Sequence, residues 1–239
     1  SQRFQELENY HSYKVNFELA GNLARLGSKY LGVTYDPTRD SYLFDSIAFA
    51  QYVKTDFEYT TYFTLTENSS TAYRAIVGVG IPLKNLNTLP FERSFFAGGA
   101  NDMRAWQARA LGPGSLSDTA TFGIDQVGEF KLEINLEYRF KIIKQLEGAL
   151  FTDIGNIWLL KKDPKRPGAE FDPTTFYKEL AIGPGVGARF DFGFFLIRLD
   201  AGLQVKDPNL PEGERWIFQA KNLTNSLRTE ANISRANQG

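Results

Sequence analysis

The chain has 239 residues, with 27 Lys and Arg against 28 Asp and Glu, one His and no Cys. A formal net charge of −1 leaves no electrostatic footprint for nucleic acid, and the length allows one ordinary domain or a piece of a larger one. A chain without cysteine has no disulfide framework and passes through an oxidising periplasm without disulfide handling. Aromatics are abundant, with 20 Phe and 11 Tyr, while the mean hydropathy of −0.32 is that of a soluble protein. Both hold at once in a membrane barrel, where apolar residues come at every second position rather than in runs. The longest clean apolar run, Ala75 to Leu83, is far too short for a spanning helix.

The chain opens Ser-Gln-Arg-Phe-Gln, with no signal-peptide pattern, as a mature product or a fragment would. The first alternating segment is 12–20, with Tyr13, Val15, Phe17 and Leu19 against Lys14, Asn16 and Glu18. Residues 52–65 set Val53, Phe57, Tyr59, Phe63 and Leu65 against Lys54, Asp56, Glu58 and Thr60. Residues 71–81 set Tyr73, Ala75, Val77, Val79 and Ile81 against Arg74, Gly78 and Gly80. The strongest signal is 129–142, where seven apolar residues from Phe130 to Ile142 alternate without a break with Glu129, Lys131, Glu133, Asn135, Glu137, Arg139 and Lys141. Side chains flip faces at each strand residue, so this segment has one apolar and one strongly charged face. Its extended length is roughly 45 Å. A strand tilted across a bilayer needs only ~9–11 residues in the hydrocarbon. Residues 147–158 are apolar on both faces, with Asp153 as the one charge inside. Residues 183–192 set Val186, Ala188, Phe190 and Phe192 against Gly185, Gly187, Arg189 and Asp191, and 195–206 repeat the pattern with Arg198 and Asp200 on the polar face. These are seven predicted strands, and no segment carries a helical period.

Connections alternate between tight turns (67–70, 144–145, 192–194) and long links (about 21–46, 83–126, 161–180 and 207 onward). That order is the habit of bacterial outer-membrane barrels. A soluble two-sheet sandwich is the alternative, but it gives shorter strands and does not predict the alternation. Single-chain bacterial barrels have even strand counts. The polar tail after Phe218 shows no alternation, so further strands are expected beyond Gly239 and before Ser1. Tyr10, Tyr13, Tyr59, Trp158 and Trp216 fall near predicted strand ends and suit an interfacial aromatic girdle. The inward charges Lys131, Glu133, Glu137, Arg139, Arg189, Asp191, Arg198 and Asp200 are expected to form a solvated, cross-paired lumen wall. His11 begins a strand and is read as a boundary residue, and no nucleophile elbow, zinc, phosphate-loop or calcium motif is present.

The 83–126 link contains Phe95-Phe96-Ala97-Gly98-Gly99 and then Arg104-Ala105-Trp106. Downstream come Phe151-Thr152-Asp153-Ile154-Gly155, Gly183-Pro184-Gly185-Val186-Gly187-Ala188-Arg189 and Ile197-Arg198-Leu199-Asp200. These four blocks, in this order, resemble the signature of the BamA/TamA superfamily of outer-membrane assembly factors, the bacterial surface antigen family. The resemblance covers about 88–206. It implies an all-β, transmembrane antiparallel barrel, of which residues 1–239 are the C-terminal part, about seven or eight strands of about sixteen. It also implies a signature loop, about 83–126, folded into the lumen, with Gly98, Gly99, Arg104, Ala105 and Trp106 at its tip. Phe151, Asp153, Gly155, Gly185, Gly187 and Arg189 then belong to the wall that anchors it. The family has Gly where this chain has Ala105, so either the backbone there is ordinary or the tip is rearranged.

An Arg inside a barrel needs a partner, and Asp153 is the only charge inside its strand, so Arg104 is expected to pair with it in a forked geometry. The alternative is Arg104 solvated at a loop tip and Asp153 capping a turn. The resemblance implies assembly and insertion of outer-membrane proteins without covalent chemistry, by lateral opening and strand templating. It implies no enzyme activity, no cofactor and no metal. The implied partners are outer-membrane lipids, unfolded outer-membrane protein clients and periplasmic or lipoprotein accessory subunits, in the outer membrane of a Gram-negative bacterium. A secretion or porin-like channel, or the membrane anchor of a fused lipase, are the other functions the scaffold admits.

Overall fold

The computed structural model describes residues 9–116 and 126–218. In chain order the elements are β1 (Tyr10–Ala20), α1 (Asn22–Leu26), α2 (Ser28–Leu31), β2 (Val33–Asp36), β3 (Ser41–Phe44), β4 (Ile47–Ala48), β5 (Tyr52–Thr66), β6 (Ser69–Pro82), β7 (Phe130–Ile143), β8 (Leu146–Trp158), β9 (Ala181–Asp191) and β10 (Leu196–Gly202). The seven long predicted strands are all present. They pair as one antiparallel sheet in the order β1-β5-β6-β7-β8-β9-β10. Each long strand pairs with its predecessor among them, as in an up-and-down barrel wall. Among the described residues the sheet does not close, and β1 and β10 each have one neighbour.

Register keeps the two faces separate across the sheet. One row runs Tyr13–Tyr59–Ala75–Ile134–Ile154–Ile182, and the next row runs Ser12–Thr60–Arg74–Asn135–Asp153–Gly183. Strands β5 to β8 have 15, 14, 14 and 13 residues, longer than the hydrocarbon requires. Val15, Phe17, Leu150, Val186 and Leu199 on the outer face are all at least half exposed. In water each would forfeit at least half of the about 1.5–3 kcal/mol that full burial contributes, a loss that acyl chains remove. No helix among the described residues is long and apolar enough to cross a membrane.

Four sequence expectations need correction. The link after β1 is not structureless: it holds α1, α2 and a separate β2-β3-β4 sheet. Helices of five and four residues, bounded by Gly21, Gly27 and Gly32, are too short to show a period. The last strand does not run straight to Lys206. Val205 and Lys206 both donate their N–H to the Ile182 carbonyl, at 3.0 and 3.1 Å, the two-against-one geometry of a bulge. Trp158 is fully buried rather than interfacial. The segment after β8 folds over it, bringing Phe171 and Phe176, and its indole N–H donates to Glu179 at 2.7 Å. Trp216 lies beyond β10, bridged to Lys206, and Tyr10 falls on the inner face beside Tyr62, so of the five proposed girdle residues Tyr13 and Tyr59 keep outward positions.

Candidate functional site: an inward loop pinned to the wall

The loop after β6 lies against the inner face of the sheet. Gly78 and Gly80 leave room there for Phe95 and Leu89; a Cβ on either glycine would stand 2.5 and 2.4 Å from those side chains. Phe95 and Gly128 exchange both backbone hydrogen bonds, at 2.9 and 2.8 Å, closing the base of the loop. The Arg93 guanidinium lies 3.4 Å from Glu18 of β1, and the Lys54 ammonium sits 4.3 Å above the Phe95 ring. The loop therefore touches the sheet from its first long strand onward.

Its tip is a glycine turn. Gly98 and Gly99 have φ of 103° and 112°, and a Cβ on Gly98 would collide with the Gln107 carbonyl at 2.1 Å. The Asp102 carboxylate accepts from the Gly98 N–H at 3.1 Å and the Met103 N–H at 2.8 Å, while Gly99 N–H donates to the Trp106 carbonyl at 2.9 Å. This turn drives Met103, fully buried, and Trp106 into an apolar cluster with Phe95, Ala97, Leu111, Ile157 and Ala181. It leaves Arg104 facing β8.

Arg104 meets Asp153 in a fork. Its Nε donates to Oδ2 at 2.9 Å and its Nη2 to Oδ1 at 2.8 Å. The Arg104 backbone N–H donates to the same Oδ2 at 3.0 Å, and Asn135 Nδ2 donates to Oδ1 at 2.9 Å. The fully buried Asp153 carboxylate thus accepts four hydrogen bonds. The third guanidinium nitrogen, Nη1, donates to Glu137 at 2.7 Å, and the plane stacks 3.5 Å over the Phe151 ring. Such an arrangement satisfies the charge on every side, which a guanidinium taken out of water requires.

The inward charges are not a solvated wall. Glu137 also receives Arg139 Nε at 2.6 Å and Arg189 Nη2, so three guanidinium groups share one buried carboxylate. Lys131 is buried between Asp102 of the loop and Glu133, with Glu133 at 2.8 Å, and donates to the Phe96 carbonyl at 3.1 Å. Arg74 joins Glu58 at 3.1 Å, Glu133 at 3.4 Å and the Asn101 carbonyl at 2.9 Å. The loop contributes Asp102, Arg104 and the Phe96 and Asn101 carbonyls to this network, and the strands supply the other partners themselves. Asp191 stands apart, capping the β9–β10 turn through the Gly193 N–H at 2.7 Å. Beneath the tip a cavity of about 240 Å³ remains among Arg74, Asn101, Arg104, Glu137, Arg139 and Arg189.

The predicted wall residues divide into two sets. Phe151 and Asp153 touch Arg104 directly, and Gly155 opens space beside the Met103 sulfur. Gly185 makes room for the Phe151 ring, whereas Gly187 lies against Asp200 and Arg189 against Glu137, so these act on the network rather than the loop. Ala105 has no left-handed backbone; the alanine is accommodated by an ordinary conformation. Glu137, Asn135, Lys131 and Asp102 had no individual role in the sequence reading. Nothing in an alternating charge pattern distinguishes Lys131, Asn135 or Glu137, and Asp102 lies in the loop outside any such pattern.

Compared with curated protein sequences, the chain matches none. Among solved structures it is similar to that of BamA from Haemophilus ducreyi lacking POTRA domains 1–3, with a TM-score of 0.53 and 15% identity, over 65% of this chain and 32% of that one. The chain thus spans about a third of that structure, and the likeness is one of fold. The family model described as the Omp85 superfamily domain matches residues 30–221, on the two-faced strands and the inward loop alike. The chain therefore belongs to the Omp85 superfamily and forms part of a β-barrel of the bacterial outer membrane.

Proposed function

We propose that residues 1–239 are part of one barrel domain of an outer-membrane protein assembly and insertion factor. The barrel acts by lateral opening, and a client strand is templated on the exposed sheet edge by β-augmentation. No covalent step is involved. Client outer-membrane proteins, accessory subunits and bilayer lipids are its partners. The observation that carries this reading is the buried four-hydrogen-bond seat of Arg104 on Asp153, inside a wall of the Omp85 superfamily. A loop seated so firmly closes the lumen side of these strands and leaves the sheet edge as the working surface.

The test is insertion of an unfolded outer-membrane protein into liposomes containing the full-length protein. Asp153→Asn should slow insertion while the barrel still folds. Equal rates for the variant and the parent would defeat the reading. A secretion channel is the second reading, favoured by the charged inner face and the cavity beneath the tip. A steady single-channel conductance in planar bilayers, with no effect on client insertion, would support that instead.

A further inference from the structure

We propose that the inner face of β9 and β10 forms a second, uncharged clasp for the loop tip, in which Gly183 and Gly202 make a socket for Ala105 and Gln204 closes it. Ala105 approaches both strands at backbone distance. A Cβ on Gly202 would stand 2.9 Å from the Ala105 Cα and 3.0 Å from its N and Cβ. A Cβ on Gly183 would stand 2.8 Å from the Ala105 Cβ and 2.9 Å from the Trp106 ring. The socket is therefore filled by one methyl group and has no room for a second. Gln204 Nε2 donates to the Ala105 carbonyl at 2.9 Å. The bulge after Gln204 is where the strand leaves its straight course beside β9.

The same strand holds the tip at its other end. Arg198 donates to the Ala100 carbonyl and, at 3.0 Å, to Asn101 Oδ1. Residues 198, 202 and 204 thus grip loop residues 100, 101 and 105, and none of these contacts uses Asp153. Strand β10 has only seven register pairs, all with β9, against fourteen between β5 and β6. Seating of the loop is consequently tied to the position of the shortest long strand, at the edge of the described sheet. Shifting β10 removes the floor and one wall of the socket together. The clasp seats the loop whether the barrel inserts clients or exports a partner.

The 239 residues contain no cysteine, so Met103→Cys in the full-length protein, with any cysteine elsewhere replaced, provides a single thiol at a fully buried position of the tip. Its maleimide labelling rate in detergent or nanodiscs reports unseating of the loop, because reagent reaches it only in the open state. Gly202→Ala and Gly183→Ala should each raise the rate about tenfold or more, the scale of an overpacking clash. Adding Ala105→Gly should lower the Gly183→Ala rate by about threefold or more without reaching the parent, because the clashing methyl is gone while the Trp106 ring still stands 2.9 Å from the new Cβ. It should restore Gly202→Ala less, because that Cβ meets backbone. Val186→Ala, on the outer face of β9, should leave the rate unchanged. Folding is checked by heat-modifiable gel mobility. If Gly202→Ala does not fold, Gln204→Ala is read in its place, with an expected rise of about threefold for one lost hydrogen bond. Parent-like labelling in both glycine variants, no lowering of the Gly183→Ala rate by Ala105→Gly, or an equal rise in Val186→Ala would each overturn the clasp.

Discussion

Replacing Asp153 by Asn isolates the charge at the seat of the loop. The side chain keeps its size, but one acceptor oxygen becomes an NH2 group, and the four donors fall two to each oxygen: Arg104 N and Nε on Oδ2, Arg104 Nη2 and Asn135 Nδ2 on Oδ1. The remaining oxygen retains two of them, and the NH2 is set against the other two N–H groups. Breaking a buried pair from one side costs about 3–5 kcal/mol, because the surviving charge stays desolvated. Arg104 keeps Glu137 at 2.7 Å and has Asp200 at 4.0 Å, so the lower end applies, about 3 kcal/mol. That corresponds to an increase of about a hundredfold in the population of the open loop. The Met103→Cys thiol reads it directly as labelling rate, and urea titration of gel mobility checks that the strands remain folded. A labelling rate within about twofold of the parent would refute the claim that this pair holds the loop.

Three further outcomes follow from the geometry. Arg104→Lys keeps the charge but presents one point donor to Asp153 and Glu137 instead of a fork; labelling of Met103→Cys should rise by about tenfold or more, and an unchanged rate would mean the fork is dispensable. Gly98→Ala must place a Cβ 2.1 Å from the Gln107 carbonyl at φ 103°, so the tip should be destabilised by about 1–3 kcal/mol or more, read as protease sensitivity within 98–107; parent-like resistance would contradict the turn. At the surface side, burial raises the Glu179 carboxyl above its ordinary value, against the opposing pull of the Trp158 and Ser115 hydrogen bonds. A raised carboxyl favours the folded state when protonated, so packing of the segment over Trp158 should tighten as pH falls through the folded value towards the ordinary carboxylate range and weaken as pH rises back through it. Glu179→Gln should abolish that part of the pH dependence of Trp158 fluorescence, and an unaltered profile would remove Glu179 from the account.

Much of the wall was legible because strand alternation is strict where two solvents meet. Phe130 to Ile142 must all face one way, and the register along β6, β7 and β8 keeps them there. Asp153 stands out as the one charge in the interior of a strand apolar on both faces, and the resemblance in the loop supplies Arg104 as its candidate partner. Glu137 did not stand out, although it takes three guanidinium groups, because Glu129, Glu133 and Glu137 occupy equivalent places in the same pattern. All three side chains are buried, and which of them gathers the guanidinium groups depends on where Arg104, Arg139 and Arg189 come together, a long-range fact with no local signature. Trp158 misled for the same reason: its position on the strand is interfacial, and only the returning segment with Phe171 and Phe176 covers it. The four- and five-residue helices after β1 are shorter than any period that could reveal them.

The central claim is that each long strand has lipid on one face and the barrel interior on the other. Single spin labels placed along β5 of the full-length protein in a bilayer test it most directly, through collision with oxygen, which concentrates in acyl chains, and with a water-soluble nickel complex. The account predicts a two-residue period: labels at Phe57, Tyr59 and Phe63 collide with oxygen, and those at Lys54, Asp56 and Glu58 do not, with any nickel contact confined to the second set. Nickel accessibility at Phe57, Tyr59 and Phe63, or no period at all, would contradict it.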